Sequence, residues 1–332
     1  MIWNTKTNND QGSQILQVDP QPWLRTGPGN ALDGKPKFDL TQFNPDYFHR
    51  LKTRVKAAGE RDIYVSVMLF EGWGLQFSPD SYISHPFHPS NNINQVVVEN
   101  LPDSLKFFIQ DLKYKEVTRI QEAYVRHVIE TVGEYDNLLY EISNEAHKGS
   151  TEWQYHFIRF IKNLESQRGM IHPVGMTYQY KGGTNKTLFD SPANWISPNS
   201  TEEENYKADP PSDNHGKVII SDTDHLWGIG GNQQWVWKSF LRGINPIFMD
   251  PYDGKVLSNG AGSDWAEEVR VAMGYTMKYA RKMDLLHSLP DENIASSGYC
   301  LANPGEEYLI YMPDDNEVDI DLTTANGTFY VE

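Results

Sequence analysis

Short apolar runs recur along the chain, and an acid or amide closes most of them. IYVSVMLF (63–70) runs into Glu71, and LLYEIS (138–143) into Asn144 and Glu145. KVIIS (217–221) runs into Asp222 and PIFM (246–249) into Asp250, with PVGMTY (173–178) between them. Continuous rather than alternating apolarity marks strands covered on both faces, as parallel sheets are. Helical stripes lie between these runs. Phe43, Tyr47, Leu51, Val55 and Ala58 share a face in 43–58, and Pro45 suits a first turn. Leu112, Val117, Ile120, Tyr124 and Val128 do the same in 112–132, and 152–168, 232–242 and 265–283 repeat the pattern. Such alternation predicts an α/β fold with a parallel sheet, most simply a (β/α)8 TIM barrel over residues 1–289.

Near residue 290 the texture changes. SLPDENIASSG reads as a linker, and GYCLANP, EYLIYMP, EVDIDL and GTFYVE read as short alternating strands split by turn residues. Residues 290–332 are therefore expected to form a small antiparallel β module. The segments 74–95 and 180–216 are expected to be polar loops outside the core, lining the active face of a barrel.

Composition narrows the function classes. The 332 residues suffice for one large core, or one large domain with a small companion. A net charge of −16, spread along the chain, argues against nucleic-acid binding, which needs clustered Lys and Arg. It suits a neutral ligand. The single cysteine, Cys300, permits no intrachain disulfide and no cysteine-based metal site. No apolar run approaches a membrane span, and MIWNTKTNNDQGS lacks the charged start and apolar centre of a signal peptide. No motif calls for a cofactor. Asn185, Asn199 and Asn326 fit the N-glycosylation pattern.

In a (β/α)8 barrel, catalytic groups gather where strands end. Glu71, Glu145, Asp222, Asp224 and Asp250 all fall at such ends. Two opposed carboxyls suffice to hydrolyse a glycoside, one protonated to assist the leaving oxygen and one ionised to attack the anomeric carbon. Glu145 is the candidate acid/base. Asn144 beside it is the candidate clamp on the neighbouring sugar hydroxyl. Asp222 is the first choice for the nucleophile, with Asp224 close behind. A strand-end Asp also serves commonly as a helix N-cap, and an Asn-Glu pair arises often by chance, so the joint placement carries the argument.

Substrate contacts are expected from Glu71, His85, His225, Asp250, Trp73 and Trp227, because indole rings stack well on the C–H faces of sugars. Trp235 and Trp237 fit a helix packed into the core. His85 and His88 have no third ligand nearby, so hydrogen bonding to substrate or loop backbone is expected of them rather than metal binding. The acidic segment 201–213 reads as a solvated loop, and 313–321, which could suggest calcium, lacks the spacing of a calcium hand.

With these residues in hand, the chain resembles the clan of (β/α)8 retaining glycoside hydrolases that includes the cellulase-like family 5 enzymes. It is most similar there to the apiosidase-like family 140 barrels, whose β module is described as collagen-binding. The matching stretches are RTGPGNALDGKPKFDL (25–40), IYVSVMLFEGWG (63–74), LLYEISNEA (138–146), SDTDHLWGIGG (221–231) and WVWKSFLRGINPIFMDPYDG (235–254). The resemblance implies retaining hydrolysis, an extracellular or periplasmic setting, Glu145 as acid/base and Asn144 as substrate ligand. It also exposes two departures. The clan's nucleophile is a Glu, where this chain has Asp222. And if 63–70 is the third strand, the barrel is short of its first strand and helix, with MIW as the tail of the second. Residues 1–24 or self-association would then cover the open edge.

A glycoside hydrolase of poly- or oligosaccharides is thus the leading expectation. A non-catalytic carbohydrate-binding or structural protein built on a shortened barrel is the alternative, favoured by the missing strands and opposed by the retained Asn144–Glu145 pair.

Overall fold

The computed structural model describes residues 4–9, 12–17, 19–77, 79–96, 103–212, 216–252, 262–314, 317–323 and 325–331. The MIW start lies outside these residues. The chain is mixed α/β and divides into two compact units, Met1–Trp195 and Ile196–Glu332.

The first unit opens with two antiparallel hairpins, β1 (Asn4–Asn9) with β2 (Gly12–Gln17) and β3 (Trp23–Asn30) with β4 (Pro36–Phe43). Helix α1 (Pro45–Gly59) follows, with Asn44 as its cap: the side chain accepts the N–H of Asp46 at 3.1 Å. Then come β5 (Val65–Glu71), the short helices α2 (Trp73–Phe77) and α3 (Pro79–Ile83), α4 (Lys115–Val132), β6 (Leu138–Asn144), α5 (Thr151–Ser166), β7 (Val174–Thr177) and α6 (Asn185–Phe189). β5, β6 and β7 pair in parallel in that order. Their burial is nearly continuous on β6 and complete on β7, which is why these runs show no alternation.

The predicted stripe of α4 is the one that packs, with Val117, Ile120, Tyr124 and Val128 all buried. It meets α5 through a fully buried hydrogen bond in which Trp153 Nε1 donates to Gln121 Oε1 at 3.0 Å. β8 (Trp195–Ser197) carries the boundary between the units. Trp195 lies over Gly175, where an added Cβ would come within 1.9 Å of the indole.

The second unit continues with β9 (Val218–Asp222), α7 (Thr223–Leu226), α8 (Gln233–Leu241), β10 (Asn245–Ile247) and α9 (Asp264–Ala280). β10 pairs in parallel with β9, placing Ile247 opposite Asp222. Parallel strands thus number six among the described residues, β5 to β10. β11 (Leu289–Pro290), β12 (Cys300–Asn303) and β13 (Glu307–Ile310) form a small antiparallel sheet. Its period-two alternation is clean. Tyr299, Leu301, Leu309 and Tyr311 pack with Trp237, Phe240 and Leu241, whereas Cys300, Ala302, Tyr308 and Ile310 join Ala295 and Val318 on the other face.

Several expectations change here. The β segment after 290 shares one apolar cluster with α8. EVDIDL contributes only a bridge between Ala295 and Ile320, and GTFYVE forms no strand over its described residues, with Tyr330 and Val331 exposed. The segments 74–95 and 180–216 are not excluded from the core. Leu75, Tyr82, Phe87, Leu188, Trp195, Ile196 and Tyr206 are all buried, and Asn91 and Asn92 are buried while capturing loop carbonyls. Polar composition misleads where amides satisfy backbone groups internally. The sequon at Asn185 is buried within α6, out of a glycosylating enzyme's reach.

Candidate active site

In the first unit the parallel pairing of β5 and β6 sets Glu71 opposite Asn144. The two chains then approach to backbone contact. Gly72 donates its N–H to Asn144 O at 2.9 Å, and a Cβ on Gly72 would fall 2.3 Å from Ala146 Cα. Only glycine fits. Immediately beyond, Glu145 leaves the strand with φ +40°, in the left-handed region that non-glycine residues seldom occupy. Gln76 Nε2 holds the same residue by donating to Glu145 O at 2.7 Å. Glu145 is buried, and its strained backbone is fixed from two sides.

Glu71 is set by its own turn. Oε1 accepts the N–H of Gly74 at 3.0 Å, while Oε2 is buried with no hydrogen-bond partner among the described residues. Burial drives its pKa well above the usual carboxylate range, and the nearby charge of Glu145 adds to the rise. The N–H groups of Gly74 and Trp73 oppose it without prevailing. Burial thus biases Glu71 toward its protonated form.

Trp73 begins α2, its ring 5.9 Å from that of Phe77. His85 and His88 each accept a loop N–H two residues on, from Phe87 and Ser90, both at 3.1 Å. Burial pushes His85 down to about 3, so it is uncharged, with its proton on Nε2. A small cavity runs beside these groups, lined by Trp23, Leu69, Glu71, Leu75, His85 and Phe87 among others.

In the second unit the acids gather at the end of β9. Asp222 caps α7, with Oδ1 accepting the N–H of Asp224 at 2.9 Å. Burial pushes Asp222 up to about 6 despite that bond. Burial also raises Asp224 and lowers His225, each partly offset by the other's charge. His225 Nδ1 lies 2.8 Å from Ser197 Oγ, and its buried Nε2 has no partner among the described residues. Trp227 presents its ring edge-on to Trp235 at 5.6 Å, with the Lys207 ammonium 5.5 Å from its centroid.

Asp250 is held by an ion pair of its own. Arg270 grips it through Nε at 2.9 Å and Nη2 at 2.7 Å, which holds it below the usual carboxylate range. Its carboxylate is committed to a guanidinium.

The structure thus brings Glu71, Trp73, Asn144 and Glu145 together in one unit and Asp222, Asp224 and His225 in the other. Sequence reasoning missed Gly72, Gln76, Ser197 and Trp23. Only Gly72 left a signal, as a glycine directly after a strand-end acid. Residues 18–182, just under half of the chain, match the family model of a domain of unknown function, DUF6298. No curated protein and no solved structure matches the chain.

Proposed function

We propose that the protein is a glycoside hydrolase acting on poly- or oligosaccharides by a retaining mechanism. The observation that carries the reading is Glu145: a buried acid, at the end of a parallel strand, held in a strained backbone conformation by Gly72 and Gln76. Strain of this kind persists where the surroundings over-determine a side chain's position, and it concentrates at reacting groups. In this reading the strand–helix alternation is that of a shortened (β/α)8 barrel.

Glu145 protonates the leaving oxygen and later deprotonates the water, while Asn144 grips the adjacent sugar hydroxyl. The role of nucleophile falls to the 222–224 turn, to Asp222 first and Asp224 second. Asp222, at about 6, is ionised at neutral pH as an attacking group must be. Glu71, set opposite Asn144 by the strand pairing, is a substrate contact beside it.

The test is a broad glycan panel run with the native protein, Glu145→Gln and Asp222→Asn. Turnover of at least one glycan, falling by about 10²–10⁴-fold in Glu145→Gln with sugar binding retained, is expected. Binding of glycans by the native protein with no turnover of any would instead leave a non-catalytic carbohydrate-binding protein.

A further inference from the structure

The cavity beside β5 belongs wholly to the first unit, with Glu71 in its wall. Its volume is about 40 Å³, where a single water needs roughly 10–15 Å³ on the same measure, so it accommodates two or three small atoms. Its walls are mostly apolar, through Leu69, Leu75, Phe87 and Ile109. Two lining residues carry unsatisfied polar atoms. Trp23 Nε1 is a buried donor without a partner among the described residues, and Glu71 Oε2 is a buried oxygen in the same condition. Orphaned buried groups cost free energy unless something fills their hydrogen bonds.

We propose that this cavity is a subsite for the hydroxymethyl arm of a hexose unit, with the Trp23 indole N–H and the Glu71 carboxyl as its two polar contacts. The inference rests on the carbohydrate reading and deepens it by naming a sugar class. A CH₂OH group matches the cavity in size, with one carbon for the apolar walls and one oxygen that can both accept and donate. The indole N–H only donates, so the ligand oxygen must accept from it. The unpartnered Oε2 of Glu71 then accepts the hydroxyl proton. An anionic arm, as in a uronic acid, finds no cation here, since His85 is uncharged. A pentose lacks the arm altogether and leaves both orphans unsatisfied.

The test is calorimetry with methyl hexopyranosides, the matching pentopyranosides that lack only the hydroxymethyl group, and the matching uronides. The full-length Glu145→Gln protein is used so that nothing is turned over, with Trp23→Phe and Glu71→Leu added singly and their folding checked by circular dichroism. Hexose binding tighter than pentose and uronide binding by about tenfold is expected, with the ratio falling toward one in Trp23→Phe. Equal affinity for hexose and pentose, or no binding of either, overturns the proposal without recourse to any cavity variant. A hexose preference without turnover of any glycan by the native protein would sink the hydrolase reading alone. Turnover without a hexose preference would sink the subsite alone.

Discussion

Gly72 and Ala146 meet backbone to backbone, so closely that a methyl on Gly72 would lie 2.3 Å from Ala146 Cα and 2.5 Å from its nitrogen. Real Cβ atoms do not approach backbone at such distances, and neither chain is a flexible side-chain tip that could swing aside. Gly72→Ala must therefore pry the ends of β5 and β6 apart and break the Gly72-to-Asn144 hydrogen bond. A loss of about 3 kcal/mol is expected, at the upper end of ordinary overpacking costs. Urea denaturation measures it. A loss under about 1 kcal/mol would mean that the two ends separate freely and do not fix Glu145.

Glu145 itself should show the reverse. Its φ of +40° costs a non-glycine residue about 1 kcal/mol or more, and glycine escapes that cost. Glu145→Gly should therefore gain about 1 kcal/mol of stability while losing any hydrolytic activity, a trade expected of a residue kept for chemistry. The midpoint of thermal unfolding reports the gain. A clear fall would show that the side chain packs for stability instead.

Much of this arrangement was legible in the chain, and the residues say why. Continuous apolar runs at 63–70, 138–143 and 217–221 announced β5, β6 and β9, although only β6 is buried on both faces and β5 and β9 each keep exposed or half-buried positions. The acids closing them were legible because they stand at the last strand residue, as Glu71 and Asp222 do, or directly after it, as Glu145 does. What was hidden depends on tertiary contact. Trp195 and Ile196 form β8 inside a stretch too polar to suggest a strand. The partnership of Ser197 with His225 spans 28 residues and leaves no periodicity. The commitment of Asp250 to Arg270 was equally invisible, since a strand-end Asp reads the same whether free or paired.

Gly175 and Trp195 supply a second steric lock in the first unit. A Cβ on Gly175 would sit 1.9 Å from the indole Cε2 of Trp195, a ring that is itself buried. Gly175→Ala should cost about 3 kcal/mol or more, or prevent folding. Trp195→Leu vacates the ring, so the double variant should recover part of the loss, with a coupling of about 1–3 kcal/mol in a double-mutant cycle. Additive losses would show that the glycine is needed for backbone reasons and not for the ring.

Asp222 gives a pH dependence whose sign is fixed. An unfolded aspartate titrates near 3.8, and burial pushes the folded one up to about 6. Between those values the folded chain holds the proton that the unfolded chain has released, so stability falls as pH rises through this window. Above it the penalty is complete, about 2–3 kcal/mol from a rise of roughly two pKa units. Asp222→Asn keeps an acceptor oxygen for the Asp224 N–H, preserving the α7 cap, and carries no charge. It should stabilise the protein by about that amount near pH 7.5 and hardly at all near pH 4, as urea midpoints at the two pH values would show. The same titration governs catalysis if Asp222 attacks the sugar. Native kcat/KM should then climb through an ionisation near 6, and a profile flat across that region would move the nucleophile to another group.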